Sequence, residues 1–253
     1  MDRLIYTAMT GTSNILARQD TIASNLANLS TTGYRSTIDA FKAVPLQGPG
    51  LPTRTFAVNS STGYDYTPAV LQQTGRSLDV GLPGKGWISV ILPNGKEGYT
   101  RDGSLQVALD GTLKTRSGFS VVDDNGQGGP LTAISIPPDT RVTIGDDGTI
   151  TTNPPGAAAA QIAVVGRLKL VNPPESQLVR GEDGLFRTQS GLPAAPDATV
   201  NVVPGALEGS NVSAIGSMVD MISISRQFQM QMQMLKTASD NAQQAAQLLL
   251  ITG

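Results

Sequence analysis

The sequence predicts an α+β fold in which both chain ends build one discontinuous, coiled-coil-like helical domain beside a central all-β domain. Three observations carry the prediction. Apolar residues near both termini recur every seven positions, and the middle of the chain is a series of short β-rich runs bounded by Asp-Gly pairs. Glycine (28) and proline (16) are frequent while aromatic residues make up only 4%, a mixture suited to strands and turns. Residues 1–35 with 208–253 are assigned to the helical domain, 36–73 to an extended connector and 74–207 to the β-domain.

In the first segment Met1, Ala8, Ile15, Ile22 and Leu29 form one column, and Ile5, Thr12, Gln19 and Leu26 form its neighbour. The helix is expected to fade near Asn28, before Ser30-Thr31-Thr32-Gly33, where glycine accepts the left-handed conformation that ends a helix. Residues 36–73 are rich in Pro, Gly, Ser and Thr and read as a connector with little core of its own. Beyond them, Trp87–Leu92, Ser104–Leu109 and Thr112–Thr115 read as strands. Asp102-Gly103, Asp110-Gly111, Asp147-Gly148 and Asp183-Gly184 are turn or hairpin signals. Gln161–Val171 reads as one longer strand, bulged at Gly166.

The last segment, 211–250, places Met221, Phe228, Leu235, Ala242 and Leu249 in one column. Met218, Ser225, Met232, Ser239 and Ala246 form a second, three residues before the first. Neither Pro nor Gly occurs from Ser217 to Thr252. A helix of that length reaches roughly 60 Å, more than a core of this size needs. The stretch Phe228–Leu235 alternates Met and Gln with the period of a strand. Met and Gln are good helix formers and no β-branched residue intervenes, so helix is predicted. On a helix the alternation spreads methionines around the cylinder, suiting contacts on more than one side.

Composition narrows the chemistry. Net charge is −2 and only 15% of residues are charged, too few for the basic face that nucleic acid requires. Histidine and cysteine are absent, which removes the commonest general base, the usual zinc ligands and every Ser-His or Cys-His pair. Lack of cysteine also suits an oxidising space outside the cytoplasm. No window approaches the roughly 20 apolar residues of a membrane span, and the N-terminus lacks the apolar stretch of a cleavable signal.

Four local patterns suggest sites, and each reads better as structure. Gly84-Lys85-Gly86 lacks the earlier glycine and following Ser or Thr of a phosphate loop. Asp123–Gly129 lacks the twelfth-position acid of a calcium loop, where Ile134 stands. Asp102 with Asp110, and Glu182 with Asp183, lie in turns and not in an acid–base pair. The methionines have no histidine or cysteine to complete a copper or haem site. No catalytic, cofactor or metal site is expected.

The termini point to assembly. Residues 1–35 carry Asp2, Arg3, Arg18, Asp20 and Arg35 as their only charges; residues 208–253 carry Glu208, Asp220, Arg226, Lys236 and Asp240. Isolated helices gain little without tertiary packing. Long, charge-poor helices therefore suit packing against neighbouring copies, with the ends frayed in a free monomer and ordered on assembly. Head-to-tail contacts of this kind generate open filaments. An intramolecular helical hairpin beside a β-domain is the plainer reading of the same residues.

The same residues carry a family likeness. Gln19–Asn28 followed by Thr31-Thr-Gly-Tyr-Arg35 resembles the N-terminal motif shared by flagellar rod and hook proteins. Leu207–Val212, Met221-Ile222 and Arg226-Gln-Phe228 resemble the family's C-terminal motif. In the centre, Leu78-Asp-Val80 leading to Gly86-Trp87, Glu97–Ser104, Gly166–Val171 and Arg180–Arg187 are similar to the proximal-rod branch. The resemblance implies a non-enzymatic, cofactor-free subunit of the proximal rod, exported uncleaved by the flagellar type III apparatus and assembled in the periplasm. Its partners would be the proximal rod proteins FlgB and FlgC, the distal rod protein FlgG and copies of itself, with no nucleic acid and no membrane insertion. The terminal helices would wall the export channel and the β-domain form the outer layer of a torque-bearing shaft. Interface residues would be Ile5, Ile15, Ile22, Asn25, Leu26, Asn28, Met221, Phe228, Met232, Leu235 and Leu249. Asn25 and Asn28 serve equally well as helix-end caps. A distal-rod-like subunit, and a glycan-binding β-protein on a coiled-coil stalk, are the rival readings.

Overall fold

A computed structural model describes residues 2–45, 55–124, 131–154 and 162–251, without the side chains of 2–7, 55–62, 242, 245, 246 and 248–251. The chain forms two compact units. The first combines Met1–Leu29, Arg35–Asp65 and Val212–Gly253, and the second combines Ser30–Tyr34 with Tyr66–Asn211.

The first unit holds helix α1 (Asp2–Ala27), strands β1 (Thr37–Pro45) and β2 (Thr55–Tyr64), and helix α2 (Ala214–Ile251). α1 ends where its sequence stops offering inward apolar residues, and Gly33 beyond it takes φ +67°. β1 and β2 form a long antiparallel hairpin whose register slips between Ala40 and Phe41, a β-bulge. Of residues 36–73, expected from sequence to be an extended connector, 37–45 and 55–64 form this hairpin and 66–73 belong to the second unit. The reason is visible in β1, where Ile38, Phe41 and Val44 are exposed. Backbone pairing, which leaves little trace in composition, makes the hairpin.

Among the described residues the second unit holds fifteen strands: β3 (Leu71–Gln73), β4 (Val80–Gly81), β5 (Trp87–Ile91), β6 (Glu97–Thr100), β7 (Leu105–Val107), β8 (Leu113–Thr115), β9 (Ser120–Val121), β10 (Arg141–Ile144), β11 (Thr149–Asn153), β12 (Ala163–Arg167), β13 (Leu170–Val171), β14 (Leu178–Arg180), β15 (Phe186–Thr188), β16 (Val203–Pro204) and β17 (Ala206–Glu208). The main sheet runs β14-β15-β6-β5-β9-β8-β7, with β13 also on β5; a second sheet runs β10-β11-β12. Two short pairs, β16-β4 and β17-β3, complete the unit. One core joins the two larger sheets, with Ile88, Leu105, Leu113, Ile144, Ile150 and Leu168 buried together. Each such side chain is worth about 1.5–3 kcal/mol when removed from water.

Three of the four Asp-Gly pairs make hairpin turns, between β7 and β8, β10 and β11, and β14 and β15. Asp102-Gly103 does not, because β6 and β7 are not neighbours in the sheet. Gly103 instead lies so close to Val80 that an added Cβ would sit 1.7 Å from its carbonyl oxygen. The segment 161–171 is expected as a single strand; its described part, 162–171, holds two. Val165 is the extra residue of a bulge opposite Ile150–Thr151, beside Gly166, and the chain then leaves β12 to pair with β5 as β13.

Candidate assembly interface

α2 turns one face toward α1. Met221, Phe228 and Leu235 are half-buried, and Ile224, Gln231 and Ala238, each three residues further on, lie on the same side. Ile224 is 1% exposed. The spacing is therefore three and four, the heptad alternation that keeps one seam facing a partner helix. The first column expected from sequence has this inward place, as far as its side chains are described. The second does not: Met218 and Met232 are exposed, and the inward second column starts at Ser217 and runs through Ile224. The difference lies in which side of Met221 the second column was placed. Ile224 against Ser225 was the available signal.

On α1, Ala8 and Ile22 are buried and Ile15 and Leu26 half-buried, whereas Leu29, the last residue of the first expected column, lies past the helix end and is exposed. The helices meet where Gln231 Nε2 donates to Ala8 O at 3.1 Å, beside Thr12 Oγ1 donating to the same carbonyl at 3.0 Å. Gly11 leaves the room, since a Cβ there would lie 3.3 Å from Gln231 Nε2. Asn25 is buried and reads both polar groups of Thr37: its Nδ2 donates to Thr37 O and its Oδ1 accepts from Thr37 N, each at 2.9 Å. It ties α1 to β1. Asn28 stays within the helix end, donating to Ser24 O at 2.9 Å. The side chains of Ile5 and Leu249 lie outside the described residues.

The opposite face of α2 is also apolar. Ile215 (78% exposed), Met218, Val219 and Ile222 follow the i, i+3, i+4, i+7 spacing of a single stripe, turned away from the Met221–Ile224 seam. Met230, Met232 and Met234 continue exposed further along the helix. Sequence columns drawn from one seam missed this stripe.

The local patterns set aside above have structural partners. Gly84 and Gly86 give their carbonyls to Arg101, and Lys85 Nζ pairs with Glu175 at 3.0 Å. Asp123 accepts from Arg167 N at 2.9 Å, while Asn125–Gly129 of that loop lie outside the described residues. Asp183 pairs with Arg187 at 2.5 Å, and Asp102 accepts from Thr32 and Ser104. Among the described residues no group of three His, Cys, Asp or Glu side chains is placed to hold a metal. Among the described residues no helix is long and apolar enough to cross a membrane.

Comparison with known proteins agrees with the terminal motifs. Residues 5–35 match the family described as flagella basal body rod protein, residues 82–152 the flagellar hook protein FlgE/F/G D1 domain, and residues 203–248 the flagellar basal body rod FlgEFG protein C-terminal. The chain is 46% identical to flagellar basal-body rod protein FlgF of Escherichia coli K12, over 98% of this chain and 99% of that protein. It is 43% identical to FlgF of Salmonella typhimurium LT2 over the same shares. It is 29% identical to flagellar basal-body rod protein FlgG of Buchnera aphidicola, over 96% of this chain and 98% of that protein.

Proposed function

The chain belongs to the FlgF family of flagellar basal-body rod proteins and is a structural subunit of that rod, and we propose from this premise that it polymerises through its terminal helices. The apolar stripe Ile215–Met218–Val219–Ile222, on the side of α2 opposite its seam with α1, is the observation that carries the proposal. A helix with two apolar faces needs partners on both. α1 supplies one within the chain. A neighbouring subunit supplies the other.

On this reading α1 and α2 pair in coiled-coil fashion through Ile15, Ile22, Leu26, Met221, Phe228 and Leu235. Met232 faces a neighbour, and Asn25 and Asn28 hold the end of α1. The subunit occupies the proximal rod, leaves the cell through the flagellar type III export apparatus and meets FlgB, FlgC and FlgG as well as its own copies. The paired helices line the export channel. Close-packed helices resist torsion because dense interiors deform little, which suits a shaft that carries torque.

Charge on the outer stripe tests the proposal. Val219→Glu and Ile222→Glu should leave the purified monomer's circular dichroism unchanged and abolish rod assembly and swimming. Variants that swim like the parent would overturn it.

A further inference from the structure

The chain passes between the two units at 29/30, 34/35, 65/66 and 211/212, and residues 30–34 and 206–211 of the β-unit adjoin three of these four points. The two stretches are bonded to each other. Gly33 N donates to Glu208 O at 2.9 Å, and Asn211 N donates to Tyr34 O at 3.3 Å. Beneath them lies a buried ion pair, Arg101 at 3% and Glu208 at 0% exposure. Arg101 Nη1 reaches both carboxylate oxygens of Glu208, at 3.2 and 3.1 Å. Its Nε donates to Gly86 O at 2.9 Å, its Nη2 donates to Gly84 O, and its guanidinium stands 5.5 Å from the Trp87 ring centre. Glu208 Oε1 also accepts from Ala69 N at 2.8 Å.

The first stretch is fixed to the same point. Gly33 packs on the backbone of Arg101 and Asp102, where a Cβ would lie 2.4 Å from the Arg101 carbonyl carbon. Thr32 Oγ1 donates to Asp102 Oδ1 at 2.7 Å. Tyr34 is buried, with the Arg180 guanidinium 4.6 Å from its ring centre. Arg101-Asp102 therefore holds Thr32 and Gly33 through one residue's carboxylate and both residues' backbone, and holds Glu208 through the guanidinium.

We propose that Arg101 and Glu208 are positioning residues: a clamp within the β-unit that locks residues 30–34, which follow α1, and residues 206–211, which precede α2, into one fixed pair. Apolar residues of similar volume would fill the same space, and replacing a buried pair by them is often neutral or stabilising. What they cannot supply is direction. A guanidinium fork bonded to a carboxylate and two carbonyls fixes orientation as well as distance. A subunit that must present its helices to neighbours in one geometry gains from that. The consequence for assembly rests on the rod-subunit reading; the clamp itself does not.

The test separates the two. In full-length Glu208→Gln, amide hydrogen exchange at Gly33, Ala69 and Asn211 should accelerate about ten-fold or more while β5 and β8 keep parental rates. Unchanged rates at those three amides, or an equal rise throughout the β-unit, would overturn the clamp. Where this variant fails to fold, Arg101→Lys, which keeps the charge and removes the fork, replaces it with the same criteria. The double variant Arg101→Met/Glu208→Leu should recover the parental melting temperature but not swimming. A double variant that swims normally would show that packing alone suffices. If exchange is localised as expected but rod assembly survives in Glu208→Gln, the clamp stands and its role in assembly fails.

Discussion

At the scale of single residues, the Asp-x-Thr turns show how local bonding sets pH behaviour. Asp110, Asp147 and Asp197 each accept from the hydroxyl and the backbone amide of the threonine two residues on, Thr112, Thr149 and Thr199. Those bonds, the hydroxyl's foremost, hold all three carboxyls below the ordinary range. A carboxylate lowered in the folded state contributes stability that is complete above its unfolded pKa of about 3.9 and lost as pH falls through the folded value. Asparagine at all three positions keeps an accepting oxygen but cannot titrate, so the acid limb of the melting curve below about pH 4 should become shallower. An acid limb as steep as the parent's would refute that origin. Gly103 makes a different kind of demand. Its place against the Val80 carbonyl leaves no room for a methyl group, so Gly103→Ala should cost about 3 kcal/mol in urea unfolding. The sequence offered an Asp-Gly pair there and so suggested a hairpin; only the sheet order distinguishes a turn glycine from one that admits a neighbouring backbone.

At the scale of elements, legibility followed the side chains. The terminal helices were readable because seven-residue columns of apolar side chains persist over many turns, and α1 ends within a residue or two of Asn28. The hairpin of β1 and β2 was not, since Ile38, Phe41 and Val44 of β1 are exposed and its order comes from backbone pairing. Asn25 was legible as a residue near a helix end but not as the partner of Thr37, a contact twelve residues on that only the folded chain creates. The rotation of α2 was half legible: Met221, Phe228 and Leu235 face inward, and the companion column was placed at Met218 where the fold places Ile224. That rotation makes a prediction. Ile224→Ala empties a buried site and should destabilise the helical unit by about 2–4 kcal/mol, read as faster exchange of α1 amides. Met232→Ala, on the exposed side, should stay within about 0.5 kcal/mol of the parent and impair assembly instead. Equal effects of the two on exchange would mean that α2 is turned differently.

At the scale of the whole molecule, the two units differ in how they draw on the chain. The helical unit gathers residues from both ends and from the hairpin between, whereas the β-unit's core, Val80 to Val202, comes from the β-unit alone. A lesion in the helical seam should therefore stay there. Phe228 is half-buried in the inward column of α2, and aspartate in its place puts a carboxylate among apolar side chains without a partner. Such a charge costs several kcal/mol or forces the helices apart. Phe228→Asp should abolish rod assembly and swimming, and lower helical circular dichroism. The single tryptophan gives an internal control, because Trp87 is buried in the β-unit with Phe186 at 4.6 Å between ring centres. Its fluorescence and near-ultraviolet dichroism should remain parental. Loss of the tryptophan signal together with the helical one would mean that the units fold as a single cooperative body. Normal swimming would remove Phe228 from the residues that assembly requires.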